Sequence, residues 1–528
     1  MSNLLDKASI LLTPTAYNDG SMLSVKPENG DGDFTFSRSS AATRVNAQGL
    51  VENVQIISPE LVSNGNFSQI GTEEVSNGNF SQEGSELVTN GDFATDSNWT
   101  ISGSSISISG GKLNFVNATS NSEFAQQSIV APIGKTYKIT LDVSNLGSGE
   151  SIKIRYPFQD FTINTNGTHI LYGVGNTANV FRLTPNSSTA SFSIDNVSVK
   201  EVISATNTPR IDYSTGAEAF LLEPQSTNLI TYSEDFSNAY WIKQPGVVAT
   251  YNTTETLSPD GTYNATKFIG NGSTGVYKAS IGVSGVVSRS VYLKSVSGTT
   301  TAVFKEPNTN LPTPITLTIT NEWQRFEFIG DNGSALQGLW IDDITSDGLY
   351  MWGAQVEALP YATSYIPTSG AIATRNQEVC VDATPVINSE EGTLYLDASA
   401  LTNGGVDRNI SLNDNTSSNH VQLILHATDN RIVFRVNSGG VAQANISDYT
   451  FEQTDNLKIA CVYKQNNFSL WINGIERATD FSGNIPIGLS KLDFSLFNGT
   501  QPFFGNIKGL KYYPKALADV QLEDLTTI

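Results

Sequence analysis

Apolar and polar residues alternate along most of this chain. WTISGSSISISGGKLNFV, KTYKITLDVS, ASFSIDNVSVKEV, SRSVYLKSVSG, EWQRFEFIG, GTLYLDAS, NRIVFRVNS and LKIACVYKQNNFSLWING each keep a period of two between turns rich in Gly, Asn and Ser. That period predicts half-buried strands. One stretch departs from it: PKALADVQLEDL predicts a short helix over Lys515–Leu525 with Pro514 at its start. Short strands at regular spacing with few helices predict an all-β chain built of sandwiches or jelly rolls. At 528 residues the chain exceeds a single core, so it is multidomain.

Repeated wording marks the domains. Residues 60–98 hold three blocks of thirteen residues, with Asn64-Gly65, Asn77-Gly78 and Asn90-Gly91 in register. A unit of that size buries no core of its own. The third block runs on as ELVTNGDFATDSNW at 86–99, and NLITYSEDFSNAYW at 228–241 shares its apolar triplet, turn, acid before Phe, and closing Trp. Each is followed about a hundred residues later by an alternating strand with a carboxylate, SIDNVSVKEV at 193–202 and LYMWGAQVEA at 349–358. Two copies of one module are expected, at 86–203 and 228–358, with 55–85 as two spare openings and each Asn-Gly as a type I′ turn.

Composition narrows the partners. The net charge is −21, with 30 Lys and Arg against 51 acids, which argues against a nucleic-acid partner because phosphate contacts depend on basic side chains. The first residues are too short and polar a run to predict a signal peptide, and no eighteen-residue apolar run occurs, so no membrane insertion is expected. Cys380 and Cys461 lie in apolar strand-like contexts and read as buried free thiols.

The motifs carry a resemblance. L-V-x-N-G-D-F…W with I-D-N-V-S-V resembles the carbohydrate-binding jelly rolls attached to bacterial glycosidases and carried on phage fibres. The hairpin IACVYKQNNFSLWINGIERATD at 459–480 with FFGNIKGLKYYPKALADVQLEDL at 503–525 resembles the concanavalin/laminin-G-like sandwich. DFTFSRSSAATRVNAQGLVENV at 33–54, TPRIDYSTGAEAFLLEPQSTNLITYSEDFSNAYW at 208–241 and WGAQVEALPYATSYIPTSGAIATR at 352–375 resemble runs recurrent in tailed-bacteriophage fibre and spike proteins. In those proteins the first run flows almost directly into the second. Residues 86–203 therefore read as an insertion, and 1–54 completed by 204–227 as one base or virion-anchoring region. Residues 359–384 read as a linker and 385–528 as a C-terminal lectin-like domain.

The resemblance implies a virion protein made in the host cytoplasm and exposed on the particle, attaching to bacterial surface glycans through several weak sites. It also implies a homo-oligomer, a trimer by analogy with phage fibres, and contacts with other virion proteins. A head-decorating or connecting role and a glycan depolymerase are the alternatives. No enzyme is expected. His169, His420 and His426 form no H-E-x-x-H, and no G-x-S-x-G or E-x-D-x-E run occurs.

Sugars pack on flat aromatic faces beside amides and carboxylates. The candidates are Tyr137, Tyr156 and Phe158 in the first module and Tyr251, Tyr277 and Trp340 in the second, each with a competing packing role. Trp99, Trp241, Trp323 and Trp471 read as packing residues. The resembling modules hold a structural Ca2+, which would take oxygens from Asp92 with Asp195 in the first copy and Asp235 with Glu357 in the second. A capped turn and a solvated carboxylate stand beside that reading. NGDGDF at 29–34 lacks the later bidentate Glu of a calcium loop and reads as an ordinary turn.

Overall fold

The computed structural model describes residues 4–54, 83–119, 122–131, 136–155, 157–158, 160–175, 179–187, 189–202, 206–305, 314–331, 338–497 and 499–528. The first two thirteen-residue blocks, up to residue 82, lie outside the described residues. The chain divides into two compact units, Met1–Pro59 with Ala205–Ile528, and Glu60–Ser204. Strands dominate both, and the described residues form one α-helix, Asp519–Thr526.

The smaller unit is a two-sheet sandwich. One sheet runs Gly167–Val174, Thr136–Ser144, Thr189–Val202, Leu113–Thr119, Ile106–Ile108, with Glu83–Glu86 also against Thr189–Val202; the other runs Phe161–Ile163, Ile152–Arg155, Val180–Pro185, Phe124–Ser128, Thr100–Ser102. Alternate residues of both, among them Leu113, Phe115, Ile139, Ile154, Phe181 and Ile194, make its core.

In the larger unit, residues 228–358 repeat that plan with two five-stranded sheets. One is ordered Ile242–Lys243, Val276–Tyr277, Trp340–Asp342, Thr300–Phe304, Ile315–Ile319. Its partner is ordered Val248–Thr250, Thr266–Ile269, Leu349–Glu357, Val286–Ser295, Gln324–Asp331.

The two closing strands match residue by residue. Thr189–Val202 bulges against Thr136–Ser144 between Thr140 and Asp142, and Leu349–Glu357 bulges against Val286–Ser295 between Ser290 and Tyr292. A left-handed residue sits in each bulge, Asn196 (φ 51°) and Gly353 (φ 64°). The next amide reaches the opening turn in both, Val197 N–H to the Gly91 carbonyl and Ala354 N–H to the Ser233 carbonyl, each at 2.9 Å. Two residues on, Val199 and Val356 accept from the Leu87 and Leu229 amides. The closing Trp finishes the motif: Trp99 Nε1 donates to the Asn90 carbonyl at 3.1 Å and Trp241 Nε1 to that of Tyr232 at 2.8 Å.

This lock replaces the expected type I′ turn. A type I′ turn needs positive φ at both central residues, and of the pair only Asn90 (φ 53°) has it. Gly91 is glycine for another reason: a Cβ there would lie 1.9 Å from the Val197 carbonyl oxygen.

The C-terminal sandwich corrects two sequence expectations. Its larger sheet is ordered Arg210–Asp212, Ala219–Leu222, Gly505–Tyr513, Glu391–Ala400, Leu457–Lys464, Asn467–Ile472, Ile475–Asp480, and Ile10–Leu12 also pairs with Gly505–Tyr513. Leu222 lies opposite Gly505 and Ile10 opposite Tyr512, so two distant segments share one strand edge. Ile10, Leu12, Tyr17, Met22, Phe34, Phe36, Ile211, Phe220 and Leu222 join the core of the C-terminal domain. Residues 10–36 and 211–222 are thus side by side and complete the C-terminal sandwich rather than form a base of their own, while Val45 and Val51 pack with Trp352 and Tyr365. Residues 359–384 are not a linker either. Ala373–Arg375 pairs with Ser226–Asn228, Val379–Val381 pairs with Phe34–Ser37, and Thr363, Tyr365, Arg375, Glu378 and Cys380 are buried.

Both cysteines are free and buried. The helix starts later than its pattern predicts, because Thr393 Oγ1 holds both the Lys515 carbonyl and the Leu517 amide, keeping that stretch extended. Ala518 becomes the cap, its amide donating to Gln521 Oε1 at 3.2 Å. No helix among the described residues is long and apolar enough to cross a membrane.

Candidate functional site

The structure disperses the sequence-assigned aromatic residues. Tyr137 and Phe158 are 1% and 3% exposed, with ring centroids 5.4 Å apart inside the core of the inserted module. They are packing residues, because the strand that carries Tyr137 turns that side inward with Ile139 and Leu141. Tyr156 lies outside the described residues. Tyr251 is 40% exposed, with the Lys243 ammonium 5.6 Å from its ring centre.

Tyr277 and Trp340 come together. They face each other across neighbouring strands, in register, with ring centroids 4.6 Å apart and planes 27° from parallel. Their neighbours Val276 and Ile341 point the other way and are fully buried, so the two rings lie on the outer face of the sheet, partly exposed. Ile242, 43% exposed, pairs with Tyr277 and extends the strip on one side. On the other, the Lys305 ammonium stands 5.1 Å from the Trp340 ring centre and 2.8 Å from Asp342 Oδ2. That carboxylate raises the Lys305 pKa through its hydrogen bond and holds the ammonium charged.

Two atoms of this strip are buried without a hydrogen-bond partner among the described residues: Trp340 Nε1 and Asp342 Oδ1. Lys305 and Asp342 were not singled out from sequence. The W-I-D spacing carried the signal, since period two places Trp340 and Asp342 on the same face.

Each residue of the assigned metal pairs has hydrogen-bond partners of its own. Because Val197 matches Ala354 and Val199 matches Val356, Asp195 corresponds to Trp352 and Glu357 to Lys200. Asp195 and Glu357 are therefore different positions of the module, and one shared calcium site cannot use both. Asp92 Oδ1 accepts from the Ala94 amide and Asp235 Oδ1 from the Ser237 amide, each closing its own turn. Asp195 accepts from the Asn196 amide at 2.8 Å. Glu357 is fully buried and accepts from Ser226 Oγ at 2.6 Å and from the Thr363 amide at 2.9 Å. Among the described residues no group of three His, Cys, Asp or Glu could hold a metal.

The three runs resembling phage proteins converge on a buried charge network. Arg38 meets Glu378 at 2.7 Å, Arg210 bridges Glu378 and Glu223, and Arg375 meets Glu223 at 2.7 Å, all with side chains at most 3% exposed. Burial pushes the Glu223 carboxyl up, but the Arg375 and Arg210 guanidiniums together outweigh it and hold the pKa at about 2. Burial likewise opposes ionisation of Glu378, and Arg210 with Arg38 reverses it. At most 3% exposed and held by these ion pairs, the groups join segments 33–54, 206–227 and 363–378 and leave no face for a ligand.

Nearby, Glu234 is partly buried and accepts from Tyr365 Oη at 2.8 Å and Asn264 Nδ2 at 3.1 Å. Burial first, and the Asp260 charge second, raise its pKa to about 7. A cavity of about 410 Å3 opens elsewhere in this unit, lined by Pro14, Arg44, Glu52, Tyr213 and Glu218 among others, and contains none of the assigned residues.

No family model matches the chain, and no curated protein sequence matches it. Solved structures similar to parts of it include the CBM40 module of the Ruminococcus gnavus IT-sialidase bound to alpha2,3 sialyllactose, at 18% identity, over 27% of this chain and 84% of that one, TM-score 0.24. The CBM22 tandem of Paenibacillus barcinonensis Xyn10C matches at 12% identity over 53% of this chain and 98% of that one, TM-score 0.22. Mouse laminin alpha1 LG4-5 matches at 10% identity over 47% and 90%, TM-score 0.19. At these scores the likenesses decide nothing about chemistry. The multidomain all-β sandwich class stands on the sheets described above.

Proposed function

We propose that this chain is a non-catalytic glycan-binding protein and that it serves as a virion attachment fibre or spike. The observation that carries the glycan reading is the outward-facing Tyr277–Trp340 pair, flanked by Ile242, Lys305 and Asp342. Stacked face to face across neighbouring strands, the two rings turn their edges outward and with Ile242 form a narrow apolar platform for the CH face of a pyranose, with polar groups at its rim. The platform is shallow, so single-site affinity is weak. Several copies on one particle raise avidity by about 10² to 10⁴ without further contacts.

The virion assignment is supported by the runs at 33–54, 208–241 and 352–375. Their shared residues Arg38, Arg210, Glu223 and Arg375 form one buried network, a physical reason for such runs to occur together. Host-cell adsorption and a glycan array with the full chain test the proposal. Trp340→Ala is expected to abolish array binding and cell adsorption while leaving the thermal transition within a few degrees of wild type. Binding unaffected by that substitution would refute this site, and particle incorporation without any glycan or cell binding would favour the connector role.

A further inference from the structure

We infer that the Tyr277–Trp340 face selects neutral glycans and turns away carboxylated or sulfated ones. The inference rests on the glycan-binding reading above and adds the charge of the ligand.

Lys305 is the basic residue on the strip, and its ammonium is already engaged. It lies 2.8 Å from Asp342 Oδ2 and 5.1 Å from the centre of the Trp340 ring. Asp342 is 1% exposed, and its Oδ1 has no donor among the described residues, so Lys305 is the charge that compensates it. Asp343 adds a second carboxylate acting on the same ammonium. The Lys305–Asp342 pair is itself neutral, in a chain of net charge −21. Lys278, beside Tyr277 in sequence, stands 4.5 Å from the Tyr240 ring centre instead.

An ammonium has three donors and Lys305 is partly exposed, so an anionic sugar can reach it, but only at a charge that the buried Asp342 carboxylate already neutralises; drawing Lys305 away altogether would strand that carboxylate, which is strongly unfavourable. A sulfate or uronate that left the pair intact would meet the negative charge of Asp343 with Lys305 already neutralised. A neutral pyranose avoids both penalties. Its CH face lies against the exposed parts of Tyr277, Trp340 and Ile242, and its hydroxyls reach the rim.

The test is an array of matched neutral and uronate or sulfated oligosaccharides probed with the full chain at about 0.05 M and about 0.5 M salt, across which exposed charge pairs become largely screened. Neutral ligands are expected to bind, lose affinity in Trp340→Ala, and change less than about two-fold with salt. Acidic ligands are expected not to bind. Asp342→Asn releases the Lys305 ammonium and is expected to create acidic-glycan binding, at least about ten-fold above wild type, that weakens as salt rises. Acidic ligands bound by the wild type through Trp340 would overturn this inference while leaving the glycan reading in place. Silence toward both classes would overturn both. Should Asp342→Asn fail to fold, the wild-type comparison of matched neutral and acidic ligands decides alone.

Discussion

The two jelly rolls share a frame and differ in what surrounds it. Both pin the opening turn to a bulged closing strand through one amide, and both tie that turn to an indole N–H. In the inserted module the closing strand alternates, with Ile194, Val197 and Val199 buried and Asn196 exposed. In the second copy every residue of Leu349–Glu357 is buried, because its outward side chains Gln355 and Glu357 meet the segment around Thr363–Ile366. The frame is what makes a jelly roll. Whether the rest of the closing strand faces solvent or a polar interior depends on neighbours that the module itself does not encode.

The largest effect should separate the copies outright. Arg210→Met leaves Glu378 and Glu223 short of a buried partner, and breaking such a pair costs about 3–5 kcal/mol. Calorimetry should show a transition of the 206–528 region shifted down while that of the inserted module keeps its temperature; equal shifts in both would contradict the confinement of the network to one unit.

Next comes pH. Glu234 has its pKa raised from 4.5 to about 7 by burial and by Asp260, whereas Asp92 in the matching turn is exposed. The folded state keeps a proton that the unfolded chain releases. The stabilisation is thus fully present below pH 4.5 and is lost as pH rises through about 7, by an amount on the order of 3 kcal/mol. Urea titrations of wild type and Glu234→Gln across that window should diverge, and parallel profiles would refute the shifted carboxyl.

A smaller effect should be common to both copies. Trp99→Phe and Trp241→Phe each remove one indole hydrogen bond while keeping an aromatic ring against Phe93 or Phe236, for about 0.5–1.5 kcal/mol each. Losses differing by more than about 1 kcal/mol would show that the shared frame is not energetically shared.

The smallest concerns the bulges. Asn196→Gly removes the strain of a left-handed non-glycine residue but also the bond from Asn196 Nδ2 to Asp142 Oδ2 at 2.7 Å, so a change within about 0.5 kcal/mol is expected. Gly353→Asn should cost more, since a Cβ there comes within 3.1 Å of the Tyr292 ring. The reverse order would mean that the two bulges are not equivalent.

Much of the fold was legible in the alternation. Trp99, Trp241 and Trp471 are buried as their neighbours suggested, and the paired opening and closing motifs do mark two like modules. The site was less legible. Tyr137, Phe158, Tyr277 and Trp340 look alike as aromatic residues near turns, and only the pairing of strands tells an inward ring from an outward one. The carboxylates misled for a related reason: Asp195 and Glu357 occupy similar places in the text of two closing strands, yet the shared bulge sets them five residues apart in register.

Sequence by itself carried the alternating strands and the opening and closing motifs of two like modules, because period two and turn residues act locally. Tertiary structure decided that residues 10–36 and 211–222 complete the C-terminal sandwich, that 363–381 pairs with distant strands and buries Arg375 and Glu378 rather than linking domains, and that Tyr277 and Trp340 meet. Those outcomes depend on which edges pair and which charges are buried together, and partners far apart in the chain settle both.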